Sequence, residues 1–221
     1  MTNEFQYPID LIEQVINTYG EQTVFEFSVY KYGPFTGADC RRLIQVNGSE
    51  LTGTYIEQLE EELPSGFDLA INSRVTVNGN KSYHLPLIDF KGRLDPEKVA
   101  IIKRDLDAVY TRNLYLFDSG KSFHGYIPAL ISTEEWVKFM GSLLLLNYKH
   151  QEPISDARWI GHRLKGGYGC LRWSCVSSHY QAKPNGVGWL ANCEGYEYPT
   201  PEYPSTNNAR SQFPLRKIAQ R

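Results

Sequence analysis

The sequence has no long hydrophobic run, since the four leucines at residues 143–146 are far too few to cross a bilayer. Residues 1–7 lack the basic start and the apolar core of a signal peptide. We therefore expect a cytoplasmic protein with no membrane attachment. The net charge of −2 excludes a chain that is basic overall, although it is compatible with a local basic groove for nucleic acid.

Cysteine is also scarce, with four residues in the whole chain. Without a secretory signal, we expect reduced thiols rather than a disulfide framework. Cys170, Cys175, Cys193 and His179 carry atoms that ligate zinc, but their spacing matches no common zinc site. The sequence therefore does not favour a structural zinc.

The composition is typical of a soluble domain, with 41% hydrophobic residues, 22% charged residues and a mean hydropathy of −0.43. Apolar residues at helical spacing predict helices over residues 8–19 and 95–109 and a further helix that begins at residue 133, with Asp95 and Thr133 as N-caps. Residues 156–164 are predicted to form a shorter helix or a turn. Alternating patterns predict strands over residues 23–32, 66–90, 114–126 and 168–176, with hairpin turns near residues 79 and 119. Residues 37–63 look helical at both ends.

These elements predict one domain over residues 1–190, followed by a tail over residues 191–221. Residues 195–206 hold three prolines and three tyrosines, and the last twelve residues carry four basic residues and no acid. Such a tail is either a disordered terminus or an arm that binds nucleic acid or a protein partner, and composition favours disorder.

Polar residues of chemical interest lie in the strand–turn–strand segment at residues 114–126. Ser122 and His124 share one face of the second strand, whereas Phe123 points to the opposite face. With Lys121 and the turn amides nearby, they could hold a phosphate oxygen. The end of a P-loop is present in residues 120–122, but the first glycine of that motif is absent. The alternative is an ordinary hairpin with a surface histidine.

Two further polar clusters lie at predicted strand ends. Asp89 closes one strand, and Asp156 and Arg172 flank the last one. If all three clusters met on one face of a single sheet, the carboxylates would bind a divalent cation, and the cation would attract phosphates.

Three segments, in this order, resemble the motifs of the archaeo-eukaryotic primase superfamily, and especially the small bacterial primase 1D-like proteins. They are Ile88-Asp89-Phe90, Ser122-Phe123-His124, and residues 156–174, and the resemblance covers about residues 80–180. It implies an α/β (α+β) fold with a primase-like catalytic core, in which a two-part mixed sheet is flanked by helices and carries the motifs in an open cleft.

The resemblance also implies roles for individual residues. Asp89 and Asp156 would ligate Mg²⁺ or Mn²⁺ and would be catalytic together with His124. The residues that would bind the nucleoside triphosphate are Ser122, His124, Lys121 and Arg172. Further phosphate contacts are expected from Lys91, His162 and Arg163.

One position departs from the family pattern. Active members carry a second acid two residues after the first, where this chain has Lys91. A lysine beside Asp89 opposes metal binding, although it can pair with the carboxylate or with phosphate. Asp118 or Asp95 would have to supply the missing ligand, and neither lies at the position that the family uses.

Three functions remain open on the sequence alone. The first is a DNA primase or template-directed polymerase that acts in DNA replication and binds a nucleoside triphosphate, a divalent metal and nucleic acid. The second is a catalytically reduced primase-fold protein that binds nucleotide or nucleic acid in mobile-element replication or defence. The third is a structural domain whose two aspartates only cap turns.

Overall fold

The computed structural model describes residues 5–31, 33, 41–180 and 182–193. Cys40 and residues 194–221, which include nearly all of the predicted tail, lie outside these ranges. Among the described residues, no helix is long and apolar enough to cross a membrane.

Six α-helices are present in the described part of the chain: α1 (Pro8–Tyr19), α2 (Gly53–Glu61), α3 (Pro96–Asp105), α4 (Ala108–Thr111), α5 (Thr133–Leu145) and α6 (Ala157–Gly166). A 3₁₀ helix follows at Leu190–Asn192. The predicted start of α3 is confirmed, since the Asp95 side chain accepts a hydrogen bond from the Lys98 amide at 2.8 Å and Pro96 is the first helical residue.

Across the described ranges, nine strands form two sheets, and every pairing between them is antiparallel. The strands are β1 (Val24–Tyr30), β2 (Arg41–Asn47), β3 (Asp68–Val77), β4 (Lys81–His84), β5 (Leu87–Asp89), β6 (Tyr115–Asp118), β7 (Phe123–Tyr126), β8 (Cys170–Arg172) and β9 (Asn185–Trp189). The first sheet has the order β2-β1-β3-β4, and β8 also pairs with β3; the second has the order β5-β7-β6-β9.

One hydrophobic core lies between the two sheets. A second core lies between the second sheet and the helices α3 and α5. Phe25 and Phe27 of β1 pack with α1 and with the face of the second sheet that carries Tyr126. The opposite face, which carries Phe123, packs against apolar residues of α3 and α5. Because side chains alternate along β7, His124 lies on the face that is turned toward the first sheet.

The α+β fold class and the two-part sheet flanked by helices are confirmed, although every strand pairing is antiparallel. Asp89 and His124 belong to the second sheet, Arg172 belongs to the first, and Asp156 precedes α6. The motif clusters therefore meet between two antiparallel sheets rather than on one face of a single sheet.

Several local predictions also need correction. Residues 41–47 form a strand rather than a helix, because Ile44 and Val46 alternate toward the core while the strand pairs with β1. Ser132, not Thr133, is the N-cap of α5, and it forms a complete capping box with Glu135. The predicted helix over residues 95–109 ends at residue 105. The predicted last strand is limited to β8, and β9 was not predicted.

Candidate functional site

A cavity of about 340 Å³ lies between the two sheets and the start of α6. We call it the cleft. Seven of the nine site residues predicted from the sequence line it: Asp89, Lys121, Ser122, His124, Asp156, Arg163 and Arg172. Lys91 does not line it, but its ammonium lies 3.7 Å from the Asp156 carboxylate. His162 is exposed on α6 and does not line the cleft.

The two predicted carboxylates are brought together by backbone pairing. The Asp156 amide donates a hydrogen bond to the Asp89 carbonyl at 3.1 Å, which places the start of α6 beside the end of β5. Asp156 is the N-cap of α6, and its Oδ1 accepts hydrogen bonds from the Arg158 and Trp159 amides at 2.9 and 3.0 Å. Its Oδ2 lies 3.7 Å from the Lys91 ammonium. The Oδ1 of Asp156 therefore caps the helix, and its Oδ2 faces the Lys91 ammonium.

The Asp89 carboxyl group has an unusual environment. Burial and, to a smaller extent, the nearby Asp156 carboxylate raise its pKa to about 7, although Lys91 and Arg172 partly oppose the shift. Within the described residues, no hydrogen bond to this carboxylate is found. Two adjacent, half-buried carboxylates, one of them with a raised pKa, form a site that favours a bound cation.

This environment predicts how stability depends on pH. The native state keeps the Asp89 proton up to about pH 7, whereas the unfolded chain loses it near its ordinary value of about 4. Stability from Asp89 is therefore fully present below about pH 4 and is lost as the pH rises from about 4 to about 7. The free energy of unfolding of Asp89→Asn, compared with that of the native chain, should therefore increase by about 1–2 kcal/mol as the pH rises from 4 to 8, after allowance for partial exposure.

Urea denaturation of both proteins across this pH range measures the difference. The variant Glu13→Gln, at an exposed position of α1, is the control. A difference between Asp89→Asn and the native chain that does not change with pH would contradict the raised pKa.

The ligand set suits one divalent cation better than two. Among the described residues, no group of three or more His, Cys, Asp or Glu side chains is placed to hold a metal ion. Mg²⁺ is commonly bound by one or two carboxylates together with substrate phosphates and water, so Asp89 and Asp156 fit such a shared site. The other candidates are occupied, since Asp118 lies 2.8 Å from Arg93 and Asp95 caps α3.

The turn between β6 and β7 is closed by its own hydrogen bonds. The Ser119 amide and hydroxyl both donate to the Ser122 carbonyl at 2.9 Å, and the two serine hydroxyls lie 3.1 Å apart. Gly120 has a φ of 101°, which favours glycine, and its amide donates to Asp118. The turn therefore presents the Ser122 hydroxyl and the Lys121 side chain to the cleft.

His124 lies directly opposite Asp89 in the β5–β7 pair. Burial lowers its pKa to about 3, and the Arg172 guanidinium contributes to the shift. The imidazole is therefore neutral near pH 7. Its buried Nδ1 has no hydrogen-bond partner among the described residues, so Nε2 is left as the nitrogen that can engage a ligand.

Arg172 joins the two sheets. This side chain is 6% exposed, and its guanidinium donates to the backbone carbonyls of Ser119 at 2.9 Å, Ala182 at 2.9 Å and Ser174. It also lies over the Tyr180 ring, 4.1 Å from the centroid. Arg172 therefore fixes the turn that carries Ser122 in addition to adding positive charge to the cleft.

The sequence did not reveal a second group of lining residues, which comes from the first sheet. The Tyr30 and Tyr180 hydroxyls lie 2.9 Å apart, and the Arg41 guanidinium lies 4.3 Å from the Tyr30 ring centroid. Arg41 also donates to Ser28, which donates in turn to Asn72. Interpreting residues 41–47 as a strand would have placed Arg41 opposite Tyr30 and revealed this group.

The charges of the cleft favour an anion. Its titratable lining residues, apart from histidine, tyrosine and cysteine, are Arg41, Lys121, Arg163 and Arg172 against Asp89 and Asp156. This excess of positive charge suits a ligand that carries several negative charges. The two carboxylates lie together at one edge, where they could hold a cation that the ligand brings with it.

Comparison with known proteins gives one family match. The family model described as AEP-like, archaeo-eukaryotic primase 1D-like, matches residues 47–185, which is more than half of the chain. No curated protein matches the sequence.

Two solved structures are similar at low identity. The structure of primase RepB' has a TM-score of 0.47 and 11% identity, with 81% of this chain and 55% of that chain covered. This chain thus spans about half the length of that structure. The catalytic domain of primase RepB' in complex with initiator DNA has a TM-score of 0.43 and 14% identity, with 74% of each chain covered.

Proposed function

Because the chain belongs to the archaeo-eukaryotic primase 1D-like family, we propose that its cleft binds a nucleoside triphosphate for nucleotidyl transfer directed by a nucleic-acid template. One observation carries the proposal: Asp89, His124 and Asp156 meet in a single cleft with arginines from both the first sheet and α6. Such a cleft combines positive charge for a polyphosphate with an acidic edge for the cation that accompanies it.

The polyphosphate would lie against the turn between β6 and β7. There the Ser122 hydroxyl and the Lys121 ammonium donate to phosphate oxygens. The neutral imidazole of His124 donates from Nε2, because its Nδ1 is buried without a donor or acceptor. Arg163, which is 7% exposed, adds positive charge from α6.

The carboxylates would serve the cation. Asp89 and the Oδ2 of Asp156 would hold one Mg²⁺ or Mn²⁺, which supplies charge neutralisation at the reacting phosphate when it is bound. Asp89 would have to be ionised to hold the cation, and a bound cation would favour that form over the protonated one. Asp156 keeps its orientation because its Oδ1 caps α6.

A second candidate function is nucleotide binding with weak or no transfer. The 3.7 Å pair between Lys91 and Asp156 favours it, because the lysine occupies the carboxylate oxygen that a cation needs. Two-metal nucleotidyl transfer places cations at both the attacking and the leaving oxygen. With a lysine in place of a second acid, the chain would keep the binding cleft and lose much of the rate.

Titration with a fluorescent nucleoside triphosphate, with and without Mn²⁺, tests the proposal. We expect binding that strengthens with Mn²⁺ and weakens at least about tenfold in His124→Ala and in Asp89→Asn, since each removes a contact of about 1.4 kcal/mol or more. The variant Lys81→Ala, at an exposed hairpin position outside the cleft, should bind like the native chain.

The outcomes separate the two candidates. Nucleotide binding that depends on His124 but not on Mn²⁺ or Asp89 would support the second candidate, nucleotide binding with weak or no transfer. Primer extension by the native chain with Mn²⁺ would support template-directed transfer. The absence of nucleotide binding under all conditions would contradict both.

A further inference from the structure

The helix that carries Asp156 also has an exposed basic face. Arg158, His162 and Lys165 are exposed at spacings of four and three residues, so they lie along one side of α6. We call these three residues the α6 basic face. None of the ten residues of α6 is acidic. In the described part of the chain, neither Arg158 nor Lys165 forms a salt bridge.

Helix stability does not explain this face. Lys165 lies in the last turn, where a cation interacts favourably with the helix dipole. Arg158 lies in the first turn, where a cation interacts unfavourably with the same dipole. The positive charge of Arg158 therefore does not stabilise the helix. It is also opposite in sign to the net charge of −2 of the whole chain.

The shape of the face allows close approach. Gly161 lies between Arg158 and His162 in sequence and is exposed, and a Cβ built there would meet no atom within 4 Å. The charged residues span about 10 Å along the helix at a rise of 1.5 Å per residue. Over a length of this order, a nucleic-acid backbone presents several negatively charged phosphates.

The face adjoins the cleft through the same helix. Asp156, Trp159 and Arg163 line the cleft from the other side of α6. A polymer that lies on the α6 basic face would therefore run along the same helix that borders the predicted nucleotide.

We propose that the α6 basic face binds the phosphodiester backbone of a single-stranded nucleic acid and leads it to the cleft. The inference rests on the proposed function, because a template must lie beside the nucleotide that it selects. Charge complementarity identifies the partner, since the face carries only basic and neutral groups. Backbone contacts of this kind position a strand without reading its sequence.

Fluorescence anisotropy with a labelled oligothymidine tests the proposal on the full chain. The double variant Arg158→Ala, Lys165→Ala should bind the strand about tenfold or more weakly than the native chain at low salt. The slope of log affinity against log salt should fall by about 1.4, because each lost phosphate contact on a single strand contributes about 0.7. A merely structural role would not change this slope.

The matched control removes the same charge elsewhere. The double variant Lys81→Ala, Arg112→Ala, at exposed positions outside α6, should keep the native affinity and slope. Nucleotide titration of the α6 variant should also match the native chain, so that a failure of the proposed function is seen separately. An unchanged slope in the α6 variant would overturn the proposal, and an acidic protein would then be the candidate partner for the face. No strand binding by the native chain would overturn it as well.

Discussion

Replacing Lys91 with aspartate is expected to raise the affinity of the cleft for Mn²⁺ by about 100-fold. The native ammonium lies 3.7 Å from Asp156 Oδ2 and competes with a cation for that oxygen. The substitution removes a repulsive charge and adds a carboxylate on the side of Asp89, which together are worth about 2–3 kcal/mol for a partly exposed site. Isothermal titration calorimetry with Mn²⁺ in the presence of a non-hydrolysable nucleotide measures the change.

Two controls separate the added ligand from the lost charge. Lys91→Gln removes the ammonium without adding a ligand and should give a smaller gain. Lys81→Asp makes the same change of net charge outside the cleft and should leave the affinity as it is. If Lys91→Asp bound Mn²⁺ no better than Lys91→Gln, position 91 would not face the cation site. A gain in primer extension that accompanies tighter binding would identify Lys91 as the residue that limits transfer.

The parts of the fold that local chemistry specifies could be predicted from the sequence. Asp95 and Pro96 mark the start of α3, because a capping carboxylate and a proline suit the first turn of a helix. Asn78 and Gly79 form the predicted hairpin turn with φ values of 51° and 74°. The alternation around His124 correctly placed Phe123 on the opposite face of β7.

The parts that depend on distant pairing could not be predicted in this way. The strand β2 is ordered by pairing with β1, and β9 by pairing with β6. Neither has a strong pattern of its own, since β9 reads Asn-Gly-Val-Gly-Trp. The two-part sheet was implied by the family resemblance, but the strand order within each part was not predicted, because strand order depends on contacts between segments far apart in sequence.

Most of the predicted site residues meet in the cleft, but the sequence did not show which contacts each of them makes. Sequence motifs identify a residue type at a position and not the partner that it meets. The resemblance implied that Arg172 contacts a triphosphate, whereas its guanidinium donates to three backbone carbonyls. Arg41 had no motif at all, and its place in the cleft follows from the pairing of β2 with β1.

The variant Arg172→Ala is expected to lose about 2–4 kcal/mol of stability and nearly all nucleotide binding. The substitution leaves the carbonyls of Ser119, Ser174 and Ala182 without their donor, and Ser119 and Ser174 are buried where water reaches poorly. It also removes the link between β8 and the turn that presents Ser122. Urea denaturation measures the first effect, and nucleotide titration under conditions where the variant is folded measures the second.

The conservative variant Arg172→Lys distinguishes positioning from direct phosphate contact. A lysine keeps the positive charge, so it would restore much of the affinity if the charge itself bound the phosphate. It cannot reproduce a planar group that reaches three separate backbone carbonyls, so we expect Arg172→Lys to lose nucleotide binding nearly as fully as Arg172→Ala. The salt dependence of the remaining binding should then match that of the native chain. Recovery of affinity in Arg172→Lys would instead show that the guanidinium acts on the ligand directly, and that the three carbonyl contacts serve only to hold it in the cleft.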